Sequence, residues 1–148
     1  MYRLLFDRDV ADWVSDQIWG APEFENHQAI GVLRGSELVG GVVYHNYREH
    51  DIELSCAATD PRWLSRGRLS VLFGYPFIQL GCLRVTAVAA RSNKRARRMN
   101  ERLGFKLEGC ARKAWEGKDA MLYGMLREEC RWLRYPNGKE ESQDSKAA

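Results

Sequence analysis

At 148 residues, 45% of them hydrophobic, the chain has room for one globular domain with one sizeable core, which sets aside the disordered and fibrous classes. A formal net charge of +3 is too small to argue for nucleic acid by itself, although five of the eight residues from Arg91 to Arg98 are basic. Cys56, Cys82, Cys110 and Cys130 lack the clustering of a zinc site or redox pair, no stretch nears the roughly 18 apolar residues of a membrane span, and MYRLLFDRD has acids where a secretion signal is apolar. The expectation is an intracellular, cytoplasmic protein with reduced thiols and no metal.

Tyr2 to Phe6 reads as a strand, after which Asp7 caps a helix carrying Val10, Trp13, Val14 and Ile18 at helical spacing and ending at Gly20-Ala21-Pro22. A loop or irregular helix follows to about Gln28. Ala29 to Arg34 and Glu37 to Tyr44 are apolar strands joined at Gly35-Ser36, a hairpin signal. Gly40-Gly41 inside the second strand implies a bulge or a close backbone approach. Ile52 to Ala58 is a long strand with Ile52, Leu54, Cys56 and Ala58 on one face and Glu53 and Ser55 on the other.

Asp60-Pro61 offers an N-cap and a first-turn proline for a helix reaching about Leu80, before Gly81-Cys82. Leu83 to Ala89 is a strand, and Ser92 or Asn93 caps a short helix that runs to Leu103. Phe105 to Cys110 and Ala120 to Leu126 are closing strands, with a turn at Glu116-Gly117-Lys118 between them. Arg127 to Arg134 adds a turn of helix. From Pro136 the polar NGKEESQDSKAA reads as a disordered tail, leaving residues 1–135 as the single domain. This order describes a mixed α/β fold around one central sheet.

From Asn93 through Ala96, Met99 and Leu103 to Gly104-Phe105 and Glu108-Gly109, the chain resembles the GNAT N-acetyltransferase pattern Asn-x-x-Ala/Ser, an apolar residue, Leu-Gly-Phe and Glu-Gly. The physics agrees: Ala96, Met99 and Leu103 form a helix stripe, and Gly104 ends the helix where a left-handed residue is favoured. Tyr75, Phe77 and the run Leu80 to Val85, with Gly117, Asp119 and Tyr123 downstream, are similar to the branch holding ribosomal-protein N-terminal acetyltransferases and short phage-type GNAT proteins. The resemblance spans roughly residues 28 to 127. It implies the GNAT fold: a mostly antiparallel mixed sheet of about six to seven strands, splayed between the fourth and fifth and flanked by about four helices.

The resemblance also implies where acyl-CoA lies, between the strands at 52–58 and 83–89, with its pyrophosphate at the helix start near residues 62–67. The family's Gln/Arg-x-x-Gly-x-Gly/Ala loop occurs as Arg62-Trp-Leu-Ser65-Arg-Gly67, with serine for the first glycine; counting back from Tyr75 places the loop several residues earlier. Both registers bring Arg62, Ser65, Arg66, Gly67 and Arg68 to the phosphates, the alternative being solvated helix residues. Backbone amides of Cys56, Ala57 and Ala58 are the expected oxyanion donors, and Asn93 orients the cofactor, caps its helix, or does both. The basic run including Arg98 surrounds the cofactor's own phosphate, forms a solvated face with Arg97 and Glu101 paired, or grips nucleic acid.

In many GNAT enzymes a tyrosine that protonates the leaving thiolate stands where this chain has Asn100. Tyr123 is then the candidate acid, with water or a packing role as alternatives. Glu53 is the candidate base, against a surface or salt-bridged glutamate. Cys56 is read as packing, not nucleophile. His27, His45 and His50 show no hydrolase triad; His45 and His50 face the acceptor cleft or are exposed loop residues. The function so implied is acetyl transfer from acetyl-CoA, or another short acyl-CoA, to a primary amine on a small molecule, protein N-terminus or lysine, by direct attack. The alternatives are a GNAT-fold CoA-binding module that has lost catalysis and a GNAT-like enzyme acting on nucleic acid. Homodimers are common in the family.

Overall fold

Strand and helix segments alternate as the apolar periodicity predicts, and the computed structural model describes residues 1–18 and 27–134. The strands are β1 (Tyr2–Leu5), β2 (Gln28–Arg34), β3 (Glu37–His45), β4 (Asp51–Ala58), β5 (Arg84–Ala90), β6 (Lys106–Trp115) and β7 (Lys118–Leu126). The helices are α1 (Val10–Gln17), α2 (Arg66–Gly74), which continues as a π turn at Tyr75–Gln79, and α3 (Lys94–Leu103). All seven strands join one sheet in the order β1-β2-β3-β4-β5-β7-β6. Among the described strands only β4 and β5 run parallel, and α2 supplies the crossover that a parallel pair requires.

The sheet is covered on both faces at its centre. Phe73 and Phe77 of the α2 segment and Phe105 pack with Val42, Tyr44, Ile52, Val85 and Tyr123 in the larger core. Tyr44 fixes α2 to this face by donating its hydroxyl hydrogen to the Leu72 carbonyl at 2.6 Å. On the opposite face Val10, Ala11 and Val14 of α1 meet Ala29 and Val43.

The glycine pair in β3 lets both layers reach the sheet. A Cβ on Gly40 would lie 2.4 Å from the Trp63 ring, and one on Gly41 would lie 2.7 Å from Val10. Adjacent strand residues point to opposite faces, so one glycine admits Trp63 and the other admits α1. The close approach read from the sequence is what the structure shows.

Several predicted boundaries move. The helix expected at Asp60-Pro61 begins five residues later, at Arg66, with Ser65 as its N-cap accepting from the Arg68 amide. Asp60 is spent elsewhere: its carboxylate accepts from Tyr2 at 2.7 Å, from Arg34 at 2.9 Å and from the Arg62 amide at 2.9 Å. Likewise Asp7 accepts from the Asp9 amide in a turn and does not cap α1, which starts at Val10. The closing hairpin is longer than expected, since β6 reaches Trp115 and β7 starts at Lys118, joined by Glu116 and Gly117 at positive φ. Arg127–Glu129 forms one 3-10 turn in place of a longer helical turn. The predicted end of α1 at Gly20-Ala21-Pro22 and the tail from Pro136 lie outside the described residues.

Gly40→Ala should therefore lower the unfolding free energy by about 1–3 kcal/mol, the usual cost of overpacking, measured by urea titration. In a Trp63→Ala background the same change should cost much less. Equal costs in both backgrounds would contradict the contact.

Candidate active site

β4 and β5 pair only from Asp51↔Arg84 to Leu54↔Ala87. Beyond that point β4 stays paired with β3 as far as Ala58, and β5 with β7 as far as Ala90. The two strands thus diverge, each held by its outer neighbour. The Thr59 amide donates to Val39 at 2.9 Å, so by alternation the amides of Ser55 and Ala57 face β3 while those of Cys56 and Ala58 face the gap.

Clefts open on both sides of this divergence. At its mouth a cleft of about 440 Å³ is lined by Cys56, Ala57, Ala58, Ala90, Asn93 and Ala96. Deeper in, a smaller cavity of about 110 Å³ reaches Leu54, Ala87, Met99 and Asn100. On the α1 face a third cleft, of about 790 Å³, is lined by His45, Glu53, Ser55 and Val88 together with residues of the β6–β7 hairpin. Ile18 and Trp115 line all three, so the spaces adjoin at the splay.

The predicted cofactor residues divide. Asn93 caps α3, its side-chain oxygen accepting from the Ala96 amide at 3.1 Å, and lines the cleft at the mouth of the splay. Asn100 is buried beneath α3 against the deeper cavity. Ser65, Arg66 and Gly67 form the first turn of α2, whose leading amides have no partner within the helix. A Cβ on Gly67 would meet nothing closer than 4.0 Å, so space above that turn is open. The helix therefore starts within the Arg62-to-Gly67 segment and not several residues earlier. Arg68 is turned inward, donating to the carbonyls of Trp63 at 2.7 Å and Arg62 at 3.2 Å, with its guanidinium over the Tyr2 ring. Arg62 is exposed, its amide held by Asp60. Arg66 lies over the Trp132 ring. Arg98 is exposed on α3 and lines none of the three spaces.

The two catalytic candidates separate. Glu53 lines the α1-face cleft and accepts from Asn46 at 3.2 Å. Burial raises its carboxyl above the ordinary value, with Asp51 adding repulsion, while the Asn46 hydrogen bond and Arg48 oppose the shift. Across the β3–β4 register, His45 sits 3.8 Å from Glu53 and 2.8 Å from the Ser55 hydroxyl. Burial, helped by His27, lowers His45 to about 4, so its imidazole is neutral near pH 7. Tyr123, by contrast, is fully buried in the core, its hydroxyl accepting from Arg97 at 3.0 Å, and it lines none of these spaces. Its side chain lies in the main core beneath α3, on the same face as its partner across the ladder, Ala87. Cys56 keeps its proton, burial pushing the thiol up to about 11.

The basic run on α3 is also not one free surface. Arg97 turns in to Tyr123 and to the Arg91 carbonyl, and Arg91 stands 3.7 Å from Asp119. Trp115 was invisible to the sequence reading because the predicted strand stopped at Cys110. The His45–Glu53 contact needed the β3–β4 register, which alternation alone does not provide.

No protein-family model and no curated protein matches the chain. Solved structures do. A crystal structure of a probable acetyltransferase matches with a TM-score of 0.63 and 26% identity over 71% of this chain and 64% of that one. An acetyltransferase of the GNAT family from Bacillus anthracis gives 0.58 and 27% over 68% of this chain and 67% of that one. This is the GNAT acetyltransferase fold. A ribosomal-protein-S5-alanine acetyltransferase from Vibrio fischeri shares the fold at a TM-score of 0.67 and 14% identity, covering 88% of this chain and 95% of that one. The chain thus spans just under two thirds of the first of these neighbours.

The neutral His45 makes a pH test. The unfolded chain takes up a proton on this residue near 6.5 that the folded chain takes up only near 4, so stability is full above pH 6.5 and falls as pH drops toward 4. His45→Gln should lose less stability than the parent between pH 7 and pH 5, measured by urea midpoints. Identical losses would place His45 in water.

Proposed function

We propose that this chain is an N-acyltransferase that moves an acetyl or other short acyl group from acyl-CoA to a primary amine by direct attack. The observation that carries this reading is the divergence of β4 and β5 with a cleft on each side, which lets a thioester and an amine approach one point from opposite faces of the sheet.

The residues fit acyl-CoA. The gap-facing amides of Cys56 and Ala58 can bind carbonyl oxygens of an extended chain as a β-strand would, and the first turn of α2 offers its amides and positive dipole end to phosphate. Arg66 adds charge at that turn. Apolar walls at Ala57, Ala90 and Ala96 suit the aliphatic part of the chain.

The chemistry follows from the two faces. An ammonium entering beside Glu53 must lose a proton before its nitrogen can attack, and a carboxylate whose pKa is raised by burial is a stronger base than one in water. The amine nitrogen bonds to the thioester carbonyl carbon, and the developing oxyanion is met by backbone amides of β4. The carbon–sulfur bond then breaks as the attacking nitrogen gives its second proton to water, leaving the amide; the thiolate takes a proton from water, and Glu53 returns its own proton to solvent. Tyr123 has no part in this sequence, being sealed beneath α3. The protonated Cys56 thiol fits direct transfer and not a covalent acyl-enzyme.

Glu53→Gln should reduce turnover with acetyl-CoA and an accepted amine by about 100-fold, while calorimetry shows acetyl-CoA affinity unchanged. In the parent, turnover should fall as pH drops through the raised Glu53 value. Equal turnover in Glu53→Gln would remove the residue as base. Arg66→Ala should weaken acetyl-CoA binding by roughly fivefold, about 1 kcal/mol, the upper worth of an exposed ion pair. Unchanged affinity would move the phosphates elsewhere.

A further inference from the structure

We propose that the acceptor is a primary amine with an apolar, ring-sized body and no anionic group, seated in the α1-face cleft with its ammonium at Glu53. This rests on the acyl-transfer reading of the same site and specifies its second substrate.

Charge decides the class. Among the described residues lining the cleft, Glu53 and Glu116 are the carboxylates, and none is a lysine or arginine. His45, within 2.8 Å of the Ser55 hydroxyl, adds no cation near pH 7 because burial keeps its ring neutral. The arginine of β5 on this face, Arg84, is already committed: it pairs with Glu108 at 2.9 Å and Asp51 at 3.5 Å and donates to Thr86 at 3.2 Å. Arg48 is exposed beyond β3 and does not line the space. A carboxylate or phosphate on the acceptor would lose water and gain no cation, an uncompensated cost that favours its exclusion. An ammonium, in contrast, finds a carboxylate.

The remainder of the wall is apolar. Val88, Ala114, Trp115 and Leu122 line it, and Leu122 is 38% exposed although its strand is paired on both sides. Among the described residues no helix covers this half of the face, since α1 packs on β2, β3 and β4. About 790 Å³ is ample for an aromatic ring on a short alkyl chain.

Three ligands that share a phenyl ring and an amine separate the possibilities: phenethylamine, phenylalaninamide and phenylalanine, titrated calorimetrically into the full chain saturated with CoA. Phenethylamine and phenylalaninamide should bind at least about tenfold more tightly than phenylalanine, and Glu53→Gln should weaken the binding of both amines by about tenfold. Phenylalanine binding as well as the others, or no binding by either uncharged-tail amine, overturns the proposal. Thiol release from acetyl-CoA, followed in parallel, tests the enzyme reading separately. If phenethylamine binds with the stated preference and no thiol appears, acyl transfer fails while the ligand class of the cleft stands.

Discussion

The site depends on one event in the sheet: two parallel neighbours stop pairing after four residues, yet neither frays. β4 remains laddered to β3 and β5 to β7, so each edge of the gap is as rigid as an interior strand on its other side. Buried amides without partners cost about 1–3 kcal/mol each, so a sheet tolerates such a gap only where water or a ligand completes the bonds. The gap therefore has the character of a strand-shaped binding site held open by the fold, with little ordering left to be done on binding.

The remaining elements serve this geometry. Trp63, seated on Gly40, anchors the loop that delivers α2 to the mouth of the gap, and Asp60 ties the same loop to β1 and β2 through Tyr2 and Arg34. On the other face α1 rests on Gly41 and stops short of β5, which leaves the second cleft open. At the closed end of the splay, Thr86 donates to Asp51 at 2.8 Å while Arg84 reaches both Asp51 and Glu108, clamping the strands together on the side where they still pair. Divergence on one side and clamping on the other define where the strands separate.

Much of this was legible in the sequence. Strands β2 to β5 followed from apolar runs bounded by turn residues, and α3 from its Asn93 cap and its Gly104 terminator, which takes φ 110° as expected. The glycine pair announced a close approach. What stayed hidden depended on partners far along the chain. Asp60 looks like a helix cap until Tyr2, 58 residues away, and Arg34, 26 residues away, claim its carboxylate. Alternation along β7 shows that Tyr123 shares a face with Met121 and Met125, but not that this face lies beneath α3. Glu53 and Ser55 were identifiable as neighbours on one face of a strand, whereas the approach of His45 required the cross-strand register.

The central claim is that the amides of Cys56 and Ala58 form the binding edge. Backbone amide chemical shifts of the ¹⁵N-labelled chain, recorded during titration with acetyl-CoA, test it most directly. The account predicts the largest changes at Cys56 and Ala58 and at Arg66 and Gly67 in the first turn of α2, with Ser55 and Ala57 moving less because their amides are already bonded to β3. Saturable binding that leaves Cys56 and Ala58 unmoved would contradict it.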